Sequence, residues 1–215
     1  MSPRPLLRLH AAGRDDIADL VTRRPVPNPR LPQLDPFLFL NHHGPQTYAP
    51  NNRGLPFGPH PHRGFETVTF ILEGSLAHSD TGGHESIIDA RGVQWMTAGS
   101  GLIHAELSPA TFKRDGGPME ILQLWLNLPA RLKMTPPRYQ GLQRGDIPVL
   151  DLGSGAVLNL IAGAHDNGNG RATGPIASLT DTFMSTLELA PGAEVTLPAP
   201  RGRTVFLYVV RGEVA

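Results

Sequence analysis

The chain has no cysteine. That removes disulfides and every thiolate metal site, so any metal must be held by histidine, aspartate or glutamate. There is no excess of charge: 19 Lys and Arg against 19 Asp and Glu give a formal net charge of zero. No basic field draws nucleic acid or an anionic membrane surface, and direct nucleic-acid binding is not expected. No apolar run approaches the length of a membrane span. Residues 1–16, MSPRPLLRLHAAGRDD, turn charged too early for the apolar core of a signal peptide. Together with the missing cysteines, this points to a cytoplasmic protein that does not enter a membrane.

Glycine (24) and proline (22) are what the chain has in quantity. They punctuate short apolar runs instead of forming tracts, the pattern of many short strands joined by turns, as in a sandwich or barrel. With 215 residues and 40% apolar content, a sizeable core is within reach. Strands are expected at 37–40, 67–72, 75–78, 86–89, 93–97 and 121–128, then at 157–162, 184–189 and 205–210. Residues 14–23 read as a short helix or a loop. Residues 24–36 read as a Pro-rich extended stretch, and 129–148 as a linker with at most one helical turn. The expected division is an N-terminal domain over 1–132, then a linker and a partial second domain over 133–215.

An internal repeat supports that division. PHPHRGFETVTFILEGSLA (59–77) aligns without gaps with LPAPRGRTVFLYVVRGEVA (197–215). Arg63-Gly64 falls on Arg201-Gly202, Thr-Phe-Ile-Leu on Leu-Tyr-Val-Val, and Gly74 on Gly212. Self-similarity of this length indicates two copies of one β-module. Pro198 and Pro200 replace His60 and His62 in the second copy, so a metal site in the first has no counterpart in the second. A second module that stops at Ala215 lacks everything corresponding to 78–128. The chain is therefore expected to be a fragment, or to have its open sheet edge covered by another chain.

The chemistry concentrates at two places. In an extended strand, alternate side chains share a face, so His60 and His62 point the same way, and Glu66 has the same parity. In VQWMTAGSGLIHAELSP (93–109), His104 and Glu106 again stand at i and i+2. Two antiparallel strands, each with such a pair, converge four ligands in a barrel mouth. Three imidazoles and a carboxylate suit Fe(II), Mn, Ni, Cu or Zn, and leave two positions free on an octahedral ion. Spacing alone leaves open whether Glu66 or Glu106 is the fourth ligand. His10, His42, His43, His78, His84 and His165 read as background, with His42-His43 able to line the site.

The spacing Gly54-x5-His60-x-His62-x3-Glu66 resembles the first cupin motif. Gly92, Ala98-Gly99 and His104 resemble the second. More narrowly, HPHRGFETVTFILEG, VQWMTAGSGLIHAE and DPFLFLNHHGP are similar to the pirin family. That resemblance implies a bicupin, two facing β-barrels with one metal in the N-terminal barrel and here an incomplete second barrel. It implies His60, His62, His104 and Glu106 as ligands of one transition metal, most often Fe(II), with Glu66 as a neighbour or alternative. It also implies a quercetin 2,3-dioxygenase type of activity, in which a flavonol or related small aromatic is opened with dioxygen. Glu106, or else Glu66, would take the hydroxyl proton. Phe57, Phe65, Trp95, Met96 and Leu102 are candidates for an apolar wall. The other class of function that pirins suggest is a redox-sensitive, iron-binding co-regulator with a protein partner. Arg53, Arg63, Lys113 and Arg114 flank the site and offer such a surface, although plain solvation also explains them. A sugar isomerase would need a phosphate-holding basic cluster, and none stands out.

Overall fold

The computed structural model describes residues 5–166 and 170–214. The first half carries β1 (Gly13–Arg14), β2 (Thr22–Val26), β3 (Phe37–Tyr48), β4 (Phe57–His62), β5 (Phe65–Glu73), β6 (Ser75–Asp80), β7 (Glu85–Asp89), β8 (Val93–Thr97), β9 (Leu102–Leu107), the short helix α1 (Ala110–Asp115) and β10 (Gly117–Asn127). There follow β11 (Arg138–Leu142), β12 (Val149–Asp151), β13 (Ala156–Ala162), β14 (Ala164–Asp166), β15 (Arg171–Thr173) and β16 (Met184–Leu189).

Two antiparallel sheets form the first half. One has the order β1-β2-β3-β10-β5-β8-β11, the other β4-β9-β6-β7. They close on a core of Leu20, Tyr48, Leu55, Ile71, Leu76, Ile88, Phe112, Met119 and Ile121. Strand alternation explains the rest. On β5 and β10, Ile71 and Ile121 face this inner core, while Val68, Phe70, Leu122, Leu124 and Leu126 face the other way. The outer residues meet Ile161, Ala162, Ile176 and Met184 from the second half in a second core. A sheet buried on both faces must be apolar on both, which is why residues 67–72 read as an almost continuous apolar run.

The repeat has a structural meaning. Gly64 and Gly202 have φ of +81° and +76°, and Gly74 and Gly212 have +84° and +81°. Both matched pairs thus sit in the left-handed region that only glycine enters freely. Val68, Phe70 and Leu72 of the first copy, and their counterparts Phe206, Tyr208 and Val210, pack into the same outer core. The last residue of the second copy, Ala215, lies outside the described residues.

Several expectations change. Residues 205–210 alternate between packed and exposed as a strand would, but form no ladder, because no neighbouring strand among the described residues pairs with them. The second half contributes only the sheets β12-β13-β16 and β14-β15. The supposed linker contains β11, which pairs with β8 from Arg138↔Thr97 to Leu142↔Val93. The first sheet therefore runs past residue 132. Of the two readings for residues 14–23, helix or loop, the structure has the loop, joining Arg14 of β1 to Thr22 of β2. β3 runs through His42, His43, Gly44 and Pro45 to Tyr48. Gly44, at φ +84°, accommodates the Met119 carbonyl where a Cβ would lie 2.4 Å from it.

Candidate metal centre

β4 and β9 lie side by side, with His60 opposite His104 and His62 opposite Leu102. This pairing brings three imidazoles together: the ligating atoms of His60, His62 and His104 all lie within 4.8 Å of one another. The Nε2 atoms of His60 and His104 are 3.0 Å apart. His60 Nδ1 lies 2.7 Å from the Gly58 carbonyl oxygen. A carbonyl only accepts, so Nδ1 carries the hydrogen and Nε2 presents its lone pair to the cluster. This is the outer hydrogen bond that orients a metal-binding histidine.

Burial keeps two of the three imidazoles uncharged. It drives His62 down to about 4, with help from His60. It drives His104 down to about 2, with further repulsion from His62, His60 and His78. Neutral imidazoles are the ligating form, so the group is ready for a cation at neutral pH. His104 Nδ1 is buried and has no hydrogen-bond partner. Three imidazole nitrogens converging in this way fit a borderline transition metal.

Glu106 sits one pleat beyond His104 on the same inward face. Its Oε1 accepts from Thr69 Oγ1 and Gln94 Nε2, both at 2.7 Å, and its Oε2 accepts from Gln123 Nε2 at 2.5 Å. These donors come from β5, β8 and β10, so the carboxylate pins the four-stranded sheet to the seven-stranded one. Burial raises its pKa, opposed first by the Thr69 hydrogen bond. A carboxylate has about four lone-pair positions, and three are taken. One remains, on Oε2, for a cation or a proton.

Glu66 is not brought to this group. Across the sheet it pairs with Thr97 and Leu126, and Leu126 faces the outer core. Thr97 Oγ1 donates to its Oε1 at 2.6 Å, and burial raises its pKa. The parity argument fails because the chain turns at Arg63-Gly64 between β4 and β5, which resets which side faces in. Trp95 fails as a wall residue for a related reason: it lies in the outer core. Phe65 does line the group, 5.0 Å from the His62 ring, and Phe57 lies over His43 at 5.3 Å. His42 and His43 point to opposite faces. His43 bonds Thr22 within the barrel, whereas His42 bonds Glu120 and Tyr208 on the outer side.

Two contributors are absent from the expected list. His78 stacks on Tyr139 at 4.1 Å, lies 5.4 Å from the His104 ring, and bonds Asp80 at 3.0 Å. Its place opposite Glu106 on β6 follows from register, which no local pattern announces. Trp125 on β10 lies 5.2 Å from His62. Its inward parity relative to Leu124 and Leu126 was available in the sequence. An open depression of about 420 Å³ adjoins His60, lined by Pro56, Phe57, Gly58 and Pro59. No helix among the described residues is long and apolar enough to cross a membrane.

The pirin family model matches residues 19–126. A Pseudomonas aeruginosa protein that provisionally carries the name quercetin 2,3-dioxygenase is 40% identical over 183 residues, covering 85% of this chain and 63% of its own length. A pirin-like protein of Caulobacter vibrioides is 37% identical over 216 residues, covering 100% of this chain and 75% of its own. A crystal structure described as quercetin 2,3-dioxygenase from Acinetobacter baumannii superposes with a TM-score of 0.66 at 38% identity, over 80% of this chain and 57% of that one. The chain thus spans less than two thirds of the first of these relatives. It belongs to the pirin family, and its fold is that of the cupins.

Proposed function

We propose that this member of the pirin family is a metal-dependent oxidoreductase of the quercetin 2,3-dioxygenase type, acting with dioxygen on a flavonol or a related small aromatic. The observation that carries the reading is the convergence of His60, His62 and His104, with His62 and His104 kept neutral by burial. The three histidines hold the metal, Fe(II), with Glu106 as fourth ligand. When bound, the metal would act as a Lewis acid toward a substrate oxygen and provide the site for oxygen chemistry.

The residues have separable tasks. Gly58 fixes His60 through its carbonyl. Thr69, Gln94 and Gln123 hold the Glu106 carboxylate so that only its remaining Oε2 position is offered to the pocket. Burial raises its proton affinity, which favours it as acceptor of a hydroxyl proton. One position cannot serve a cation and a proton together, so Glu106 either ligates or acts as base at a given moment. Phe57, Phe65 and Trp125 exclude water from the inner wall. The depression beside His60 is the approach for a planar substrate.

The test is metal content together with quercetin consumption, on the protein as isolated and on His62→Ala. The expected result is about one metal per chain, oxygen uptake and loss of the flavonol absorbance, all lost in the variant. A bound metal with no turnover of any flavonol would overturn the enzyme reading and favour a metal-dependent binding protein.

A further inference from the structure

The three histidines are not held alike. His60 is fixed by its hydrogen bond to Gly58. Among the described residues, no hydrogen bond orients His62. It is boxed by rings instead: Phe65 at 5.0 Å and 69°, and Trp125 at 5.2 Å and 70°, both edge to face. Those two rings pack on each other at 4.9 Å, and Trp125 stacks on Phe39 at 4.4 Å and 23°. The Arg24 guanidinium lies 4.9 Å above Phe39, and is itself bound by Asp15 and Asn41. The result is a ladder across β5, β10, β3 and β2 that ends on His62. Each such ring pair contributes about 0.5–1.5 kcal/mol beyond its buried area.

Trp125 carries a cost that needs a reason. Its indole Nε1 is buried with no hydrogen-bond partner. A phenyl ring would fill most of the space without an unsatisfied donor, and a buried donor left unpaired costs about 1–3 kcal/mol. The indole's larger face is what reaches both Phe39 and His62.

We infer that Trp125, backed by Phe39 and paired with Phe65, is the positioning residue for His62: the ring box sets the imidazole's orientation toward the metal in place of a hydrogen bond. This rests on the metal-site reading above. His62 differs from His60 in consequence. Its orientation is set by contact area, which weakens gradually as rings are trimmed.

The test uses the 215-residue chain with Co(II), whose visible spectrum reports ligand geometry. Trp125→Leu should weaken Co(II) binding about tenfold or more and shift the visible bands, the scale seen when the support of a ligating histidine is removed. Trp125→Phe, whose smaller ring cannot reach both Phe39 and His62, should lose affinity to an intermediate extent, less than Trp125→Leu. Thermal unfolding of the metal-free proteins separates packing loss, which moves the midpoint but not the spectrum of the loaded protein. Should Trp125→Leu fail to fold, Phe65→Leu tests the other wall and should change the spectrum in the same direction. Unchanged Co(II) affinity and spectrum in these variants would overturn the positioning role while leaving the metal site standing. Failure of the wild-type protein to bind Co(II) would overturn the metal site itself, and the inference with it.

Discussion

The two copies of the repeated module pack the same alternate side chains into one core, but only the first also uses the other set. In residues 65–71 the odd positions Phe65, Thr67, Thr69 and Ile71 face the barrel that holds the histidines, and the even positions Val68 and Phe70 face the outer core. In the second copy the even positions Phe206, Tyr208 and Val210 still pack into that core. Its odd positions Val205, Leu207 and Val209 are 55%, 64% and 39% exposed. Packing and chemistry thus lie on alternate residues of one strand, and one can be lost without the other. Pro198 and Pro200, in place of two histidines, are exposed and belong to neither core.

The sharpest way to break this comparison is through the shared core. Phe70→Ala should cost about 3–5 kcal/mol, whereas Leu207→Ala should stay within about 0.5 kcal/mol, both read from denaturant unfolding. Next in size is the chemical face. His104→Ala should weaken metal binding more than about 100-fold, with a much smaller change in metal-free stability, checked by calorimetric titration.

A third effect concerns acid. His43, buried in the first half, is lowered to about 4 by burial, then by His42 and Arg24. The unfolded chain protonates this imidazole below about 6.5 while the native state resists. Its contribution is therefore full above 6.5, and declines as pH falls toward about 4, by about 1 kcal/mol per pH unit. Unfolding of the metal-free protein between pH 7 and 4 should show a slope steeper than this, because His62 and His104 add to it, and the slope should be reduced in His43→Asn.

The two smallest effects sharpen the contrast by being null. Restoring histidines with Pro198→His and Pro200→His should leave metal stoichiometry at one per chain, because no counterpart of His104 stands opposite them among the described residues. Glu66→Gln should leave metal affinity unchanged, because its carboxylate faces the outer core. Glu106→Gln should weaken it.

Much of this was legible in the sequence. The i, i+2 pairs, the glycines at the turns and the aligned apolar runs located most strands of the first half and the histidine cluster. Parity worked within a strand, for His60 with His62 and for His104 with Glu106. It failed across the Arg63-Gly64 turn, where Glu66 went to the other face. His78 and Tyr139 were not legible, since strand register alone brings them together. β11 was missed because its short polar sequence, RYQGL, owes its extended form to pairing with β8.

That last strand has a practical side. β11 covers the free edge of β8 and carries the ring that stacks on His78. A shortened chain ending at Leu132, the natural cut by composition, would uncover a buried strand of Val, Trp and Met with its amides unpaired. Such an edge recruits other chains. Expression of the first half alone should therefore extend to residue 148, and a cut at 132 should give aggregates before it gives an inactive protein.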